Sequence, residues 1–227
     1  MKPTTPTTPT RSARLLGVFE VAGDILLLQL LFVVASLPVV TMLPAALALQ
    51  RSLGATFVEG RPQPAKIYWE SFRWAMARSW KVAVLLPLFM IAAAASIFFW
   101  LAADGPVGSI ALTILIPLYG MAVAGYVAVL AAVLETSAAE TSALETSAAE
   151  TGNAMDGPRD WLRRAWSLAP DRAMPLALSV VVMATWFLLL AKLPTLVLVG
   201  TGLVPAGLAW WVAAPWVQSR RAQLAAA

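Results

Sequence analysis

Long stretches with almost no charge are the feature of this sequence that most limits its fold. Residues 25–50 carry no charged side chain. Residues 82–134 carry only Asp104, and residues 173–219 carry only Lys192. A helix of about 20 apolar residues crosses the hydrocarbon of a bilayer, so each stretch is long enough to cross at least once. With 60% hydrophobic and 12% charged residues, we predict an all-α fold, a polytopic transmembrane helical bundle.

About five spans are predicted within these stretches. Their approximate bounds are 25–49, 82–103, 106–133, 174–191 and 193–217. Tight turns are predicted at Asp104-Gly105-Pro106 and at Lys192-Leu193-Pro194, because Gly and Pro interrupt helices. The last four spans therefore form two hairpins.

An amphipathic segment precedes each predicted hairpin. In both segments Trp and other apolar residues share one face at helical spacing, and Lys or Arg residues lie on the opposite face. Trp prefers the headgroup level of a bilayer, and cations there face the phosphates. We therefore predict two interfacial helices, whose anchors are Trp69, Arg73, Trp80, Lys81, Trp161, Arg163, Arg164 and Trp166.

The two amphipathic segments also resemble each other. A shift of 90 residues places Arg73 on Arg163 and Ala75 on Ala165. This match suggests a duplicated unit of amphipathic helix, span, turn and span. A chance match of such short segments is the alternative.

Composition divides the chain into five parts. They are a disordered Thr/Pro-rich tail (1–14), a first membrane part (15–134), a low-complexity Glu/Thr/Ser/Ala linker (135–158), a second membrane part (159–221) and a tail (222–227). The linker repeats Glu-Thr-Ser-Ala every five residues from Glu135. Each repeat advances about 140° around a helix, so no stripe forms. We interpret it as a solvated linker or an extension of span three, with a partner-binding acidic segment as the alternative.

The distribution of Lys and Arg predicts the orientation in the membrane. With five spans, twelve of the sixteen, Arg164 and Arg172 among them, lie on one side, which the positive-inside rule makes cytoplasmic together with the C-terminus. Arg11 and Arg14 conflict with this orientation, because they would have to be translocated across the membrane. In an alternative path, residues 15–49 enter and leave by the same face, bent at Ser36-Leu37-Pro38.

A few polar and small residues within the spans are candidate contact sites. Glu20 and Asp24 share a helix face at the entrance to span one, where they serve as solvated helix-end charges or contact a cation or partner. Gln29 can hydrogen-bond between helices. Gly120, Ala124, Ala128 and Ala132 recur every four residues and form a surface for close helix packing, in this chain or with a second copy.

The residue inventory excludes several kinds of chemistry. The chain has no cysteine and no histidine, so it lacks thiol nucleophiles, imidazole bases and the usual zinc ligands. It also has no Walker-type glycine loop. The basic residues lie beside apolar segments and form no domain of their own, which indicates a membrane surface and not nucleic acid. We predict no catalytic site, no cofactor and no bound metal.

The sequence Leu37-Pro38-Val39-Val40-Thr41-Met42-Leu43-Pro44-Ala45-Ala46 resembles the signature of the YesL-like bacterial membrane proteins, a family without an established activity. In that family an LPVVT-x-x-PA stretch ends the first helix and a basic amphipathic segment follows. The resemblance covers most of residues 15–221, and the Glu-Thr-Ser-Ala repeat departs from it as an insertion.

The resemblance implies a multi-pass protein of the bacterial cytoplasmic membrane, associated with sugar uptake. We therefore expect a non-enzymatic accessory or regulatory component of an ABC-type carbohydrate importer. Its partners would be the lipid bilayer and the transporter subunits or a second copy. The alternative is a transporter or permease subunit with its own solute pathway. The residues available to line such a pathway are Gln29, Ser36, Trp100, Thr113, Ser179, Thr185 and Trp186.

Overall fold

A computed structural model describes residues 11–58, 60–103, 105–146, 158–193 and 200–226. Within these ranges every regular element is helical. The elements are α1 (Arg11–Ser36), a 3-10 turn (Val39–Thr41), α2 (Met42–Phe57), α3 (Pro64–Ala102), α4 (Pro106–Thr146), α5 (Pro158–Leu168), α6 (Ala173–Lys192), α7 (Leu203–Val212) and α8 (Ala214–Ala226). The prediction of an all-helical fold is confirmed for the described residues.

Among the described residues, four helices are long and apolar enough to cross a membrane. The candidate spans are Phe19–Ser36, Pro64–Ala102, Pro106–Glu135 and Ala173–Leu190. These helices confirm the prediction of a transmembrane protein by length and composition. The predicted fifth span, 193–217, lies partly outside the described residues. Its described part contains α7, whose 10 residues extend only about 15 Å, so a count of five is not confirmed.

The first span differs from its predicted bounds of 25–49. Helix α1 ends at Ser36, and α2 begins at Met42. The reason is local, because Pro38 has no N–H to continue the helix and disfavours helical backbone at Leu37. The Thr41 hydroxyl lies 2.5 Å from the Ala35 carbonyl oxygen and 2.6 Å from that of Pro38, so it can donate to either and close the turn.

Helix α2 runs back along α1. Ile25 of α1 lines the same groove as Leu53 and Phe57 from the far end of α2, which requires an antiparallel pair. The bend therefore falls where the alternative path for residues 15–49 placed it. Residues 11–14, predicted to be part of a disordered tail, belong to α1. Residues 1–10 of that tail lie outside the described ranges.

Helix α2 forms the centre of the bundle. It contacts α1, α3, α4 and α7, and twelve of its sixteen residues are buried. A helix that is apolar on all sides must be enclosed by other helices or by lipid. The run from Pro44 to Ala48 is rich in alanine, and small side chains let neighbouring helix backbones approach closely.

Helix α3 unites the first amphipathic segment and the second span. Its 39 residues extend about 58 Å, roughly twice the hydrocarbon thickness of a bilayer. The first segment is therefore continuous with its span, whereas α5 is separated from α6 by residues 169–172. The buried residues of α3 lie in its first half, at Tyr68, Ser71, Ala75, Ser79 and Ala83.

This distribution divides α3 and α4 into two regions. The packed end comprises α2, residues 64–83 of α3, residues 127–135 of α4, and α5. The outer hairpin comprises residues 84–126, and the structure describes all of them but Asp104. Among the described residues of this hairpin, Gly108 is the one that is buried. At its tip Gly105 has a φ of +101°, which favours glycine, and Pro106 begins α4. The long apolar side chains of the outer hairpin therefore form a surface suited to lipid or to another membrane helix.

Helix α4 continues beyond the predicted end of span three. It extends to Thr146, so the first part of the predicted linker 135–158 is helical, and residues 147–157 lie outside the described ranges. At the C-terminus, α8 extends through most of the predicted tail, to Ala226.

Candidate functional site at the packed end

A buried carboxylate at the end of a span is the centre of the candidate site. Glu135 is the last residue of the candidate span Pro106–Glu135, and its side chain is 3% exposed. Arg172 Nη1 donates a hydrogen bond of 2.7 Å to Glu135 Oε1. Arg164 Nη2 lies 3.7 Å from Oε2. A buried charge is costly unless it is paired, so this ion cluster ties α4 to α5 and to the turn before α6.

A stack of arginine and tryptophan side chains joins the other helices of the packed end. The guanidinium carbon of Arg51 lies 4.4 Å from the Trp74 ring centroid, and that of Arg78 lies 5.0 Å from it. The ring of Trp161 lies 5.4 Å from that of Trp74. Guanidinium groups are attracted to the face of an indole ring. The stack therefore connects α2, α3 and α5.

The ion cluster and the stack together hold α5 in one rotational position. Trp161 and Ala165 face inward and are buried. Leu162 and Trp166 face outward, at 59% and 75% exposure, and Arg163 is exposed between them. This amphipathic arrangement follows from the helical period of the sequence.

The predicted anchors on α3 also lie at the surface. Trp69 and Trp80 are exposed. The Arg73 guanidinium lies 5.9 Å from the Trp69 ring centroid, and the Lys81 ammonium nitrogen lies 5.9 Å from that of Trp80. Each of these two exposed indole rings therefore has a cation beside it. Their position at the headgroup level of a membrane stays a prediction.

The candidate polar residues of α1 belong neither to the ion cluster nor to the stack of arginine and tryptophan side chains. Glu20 is exposed, Asp24 is half-buried and Gln29 is buried. A Cβ at Gly202, the residue before α7, would lie 2.8 Å from Gln29 Oε1 and 2.5 Å from Phe32 Cδ1. Gln29 therefore packs where α1 meets the start of α7. The ion cluster draws its side chains from α4, α5 and the turn that follows α5.

The predicted small-residue surface of α4 extends across both regions. Ala128 and Ala132 are buried, and Gly120 and Ala124 are half-buried. A Cβ at Gly120 would lie 3.3 Å from Val180 Cγ1. The neighbour at Gly120 is therefore α6 of this chain, a point that the spacing of small residues left open.

The hydroxyl groups considered for a solute pathway are bonded within their own helices. Ser36 donates to the Val33 carbonyl oxygen at 3.0 Å. The hydroxyls of Thr113, Ser179 and Thr185 likewise donate to carbonyl oxygens three or four residues earlier, at 2.6 to 2.9 Å. Thr113 and Thr185 are also on exposed positions. Side chains bonded in this way have less capacity to bind a solute.

The aromatic residues considered for the pathway pack against their own chain. Trp100 meets Phe99 edge to face, with ring centroids 5.1 Å apart, and the Trp186 ring occupies the space in which Gly200 would carry a side chain. A groove of about 320 Å³ opens between α1, α2 and α7. Its lining is Ile25, Leu53, Phe57, Leu203, Ala206, Gly207 and Trp210.

Sequence reasoning missed the role of Glu135 and Arg172. Glu135 begins the Glu-Thr-Ser-Ala repeat, and its resemblance to the later glutamates hid its different environment. One signal was available, because Glu135 directly follows a long apolar span and Arg164 and Arg172 were predicted on the same side of the membrane. In the part of the chain that the structure describes, no group of three or more acidic, cysteine or histidine side chains is placed to hold a metal ion.

The long apolar helices define the class of this molecule as a helical integral membrane protein. Comparisons with protein-family models, with curated proteins and with solved structures found no match for the chain. The resemblance to the YesL-like family therefore stays a prediction, which rests on the motif residues between Leu37 and Ala46.

Proposed function

We propose that this protein is a non-enzymatic accessory or regulatory component of an ABC-type carbohydrate importer in the bacterial cytoplasmic membrane. The observation that carries the proposal is the outer hairpin. Two long apolar helices project from a packed end, and most of the described residues of the outer hairpin are exposed, the others except Gly108 being half-buried. Such a hairpin is suited to lie against the membrane helices of a larger partner, while the packed end keeps it in place.

The contact surface proposed for the partner lies on the outer half of α3. Ala92 and Ala95 are exposed and three residues apart, so they share a helix face. Small residues allow the backbones of two membrane helices to approach closely, which increases dispersion contacts and permits interhelical hydrogen bonds. The neighbouring Phe99 is also exposed and adds apolar contact area.

The alternative, a solute pathway within this chain, receives less support. A pathway for neutral sugars needs polar groups that are free to replace the hydration of the sugar. The serine and threonine hydroxyls considered for this purpose donate to the backbone of their own helices. The groove between α1, α2 and α7 is lined mainly by apolar side chains.

Purification of the tagged full-length protein from native membranes tests the proposal. Cells are grown on several sugars, membranes are dissolved in mild detergent, and the bound proteins are identified by mass spectrometry. Importer subunits should accompany the wild-type chain and be lost with Ala95→Trp. Ala184→Trp is the matched control, since Ala184 is exposed on another candidate span, α6. Recovery of the chain alone on every sugar would overturn the proposal.

A further inference from the structure

The position of α5 at the start of a membrane span limits what its outward face can meet. The Arg172 N–H donates to the Leu168 carbonyl oxygen at 3.2 Å, and the Leu176 N–H donates to that of Arg172 at 3.1 Å. The connection from α5 to α6 is therefore a tight turn. Since α6 contains the candidate span Ala173–Leu190, α5 lies within a short distance of the membrane boundary.

The outward face of α5 combines apolar, aromatic and cationic side chains. Leu162 and Trp166 are exposed apolar residues, and both Arg159 and Arg163 are exposed cations. Met174, in the first turn of α6, is also an exposed apolar residue. Helices with this composition lie in the interface of a bilayer, where apolar side chains enter the acyl boundary and cations meet phosphates. The two exposed arginines of this face are complementary to anionic headgroups, and the acids nearest in sequence are Asp160, which is half-buried, and Asp171 in the following turn, which is exposed.

We propose that the outward face of α5 binds the headgroups of anionic phospholipids, and that Glu135 is the positioning residue that holds α5 in the orientation for this contact. Glu135 does not touch the lipid. It acts through Arg172 and Arg164, which it holds at 2.7 Å and 3.7 Å, while Trp161 packs on Trp74 from the other side. The proposal is independent of any importer, because it concerns only this chain and the bilayer.

The direction in which one substitution changes the binding of anionic lipid distinguishes this role of Glu135 from a simple effect of net charge. Glu135→Gln removes a negative charge near the proposed lipid site. If only net charge mattered, the variant would bind anionic lipid more tightly than the wild-type chain. If Glu135 positions α5, the variant binds anionic lipid less tightly, because its partners Arg172 and Arg164 lose the carboxylate that orients them. Glu20→Gln makes the same change of charge at an exposed acid on α1.

The test measures the lipids that the full chain retains. The protein is reconstituted in nanodiscs with equal amounts of phosphatidylglycerol and phosphatidylcholine, released into detergent and examined by native mass spectrometry. The wild-type chain should be enriched in phosphatidylglycerol. One arginine near an anionic surface contributes enough to change lipid binding by about fivefold, so Arg163→Gln should reduce the enrichment by about that factor. Glu135→Gln should also reduce it, and Glu20→Gln should not.

Two results would overturn the proposal. One is an equal content of the two lipids in the wild-type chain. The other is a Glu135→Gln variant that retains as much phosphatidylglycerol as Glu20→Gln does, which would remove the positioning role. Arg163→Lys keeps the charge and should largely restore the enrichment. Because Arg163 is exposed, its variants test the lipid contact even if the Glu135 variant does not fold.

Discussion

The packed end and the outer hairpin share the same two helices, yet they have opposite environments. In the packed end α3 contributes a row of buried residues at Tyr68, Ser71 and Ala75, and α4 is buried almost continuously from Val127 to Glu135. In the outer hairpin most described positions of both helices are exposed, the others except Gly108 are half-buried, and α6 meets α4 at Gly120. The buried helix α2 packs against α3, and the buried residues of α3 all lie in its first half.

This comparison teaches that apolar sequence and protein burial are separate properties in this molecule. Both regions consist mainly of residues that favour hydrocarbon. In the packed end those residues are covered by other helices of the chain, so their contacts are specific and sensitive to shape. In the outer hairpin most of them are not covered by this chain, so a change in side-chain shape disturbs few contacts within the protein. Substitutions should therefore have large effects in one region and small effects in the other.

The largest expected effect comes from breaking the ion cluster of the packed end. Arg172→Ala leaves the buried Glu135 carboxylate without its closest partner, which typically costs about 3–5 kcal/mol. Arg163→Ala is the control, because Arg163 is exposed and should change the free energy of unfolding by no more than about 0.5 kcal/mol. Equilibrium unfolding in mixed detergent micelles measures both. Equal stability of the two variants would show that the packed end is less tightly closed than its contacts indicate.

A smaller effect is expected from enlarging one alanine in each region of α3. Ala75→Leu adds bulk to a fully buried position, and such overpacking typically costs about 1–3 kcal/mol. Ala94→Leu makes the same change on the exposed outer hairpin and should be nearly neutral. The same unfolding titration distinguishes them. A cost at Ala94 equal to that at Ala75 would mean that the outer hairpin is enclosed by protein, for example by a second copy.

The smallest effect concerns two glycines of α4 in the outer hairpin. A Cβ at Gly125 meets nothing within 4 Å, so Gly125→Ala should stabilise the helix by up to about 1 kcal/mol through its higher helix propensity. At Gly120 the new methyl would lie 3.3 Å from Val180 Cγ1 and force α6 to give way. The gain at Gly120 should therefore be smaller than the gain at Gly125. Thermal unfolding of both variants measures the difference, and a reversed order would contradict the α4–α6 contact.

Part of the fold was predictable because the hydrophobic pattern is local. The central apolar parts of α3, α4 and α6 were identified from charge-free stretches, and Gly105-Pro106 marked the tip of the outer hairpin. The first span was misplaced by treating residues 25–49 as continuous. The prolines and Thr41 that end α1 were visible, but the hydroxyl that closes the turn acts through carbonyl oxygens of α1 and the turn itself. Residue type alone did not show whether the apolar run would continue as one helix or end at this turn.

The candidate site was less predictable than the fold. Trp161 and Arg164 were recognised as members of an amphipathic helix, since a period of 3.6 residues reports one face directly. Their partners were not recognised. Glu135 is 37 residues from Arg172, and Trp74 lies on a different helix from Trp161. No local pattern connects such pairs.

The sequence by itself determined that this protein is helical, that several of its helices are apolar enough to cross a bilayer, and that α5 is amphipathic. Hydrophobicity and helical period are properties of single segments, so they can be read without knowing the neighbours. Only the tertiary structure decided that α2 is enclosed, that most of the outer hairpin is not covered by other helices of the chain, and that Glu135 is a buried ion-pair partner. These outcomes depend on which distant segments meet, and similar apolar residues are equally compatible with lipid and with a protein core.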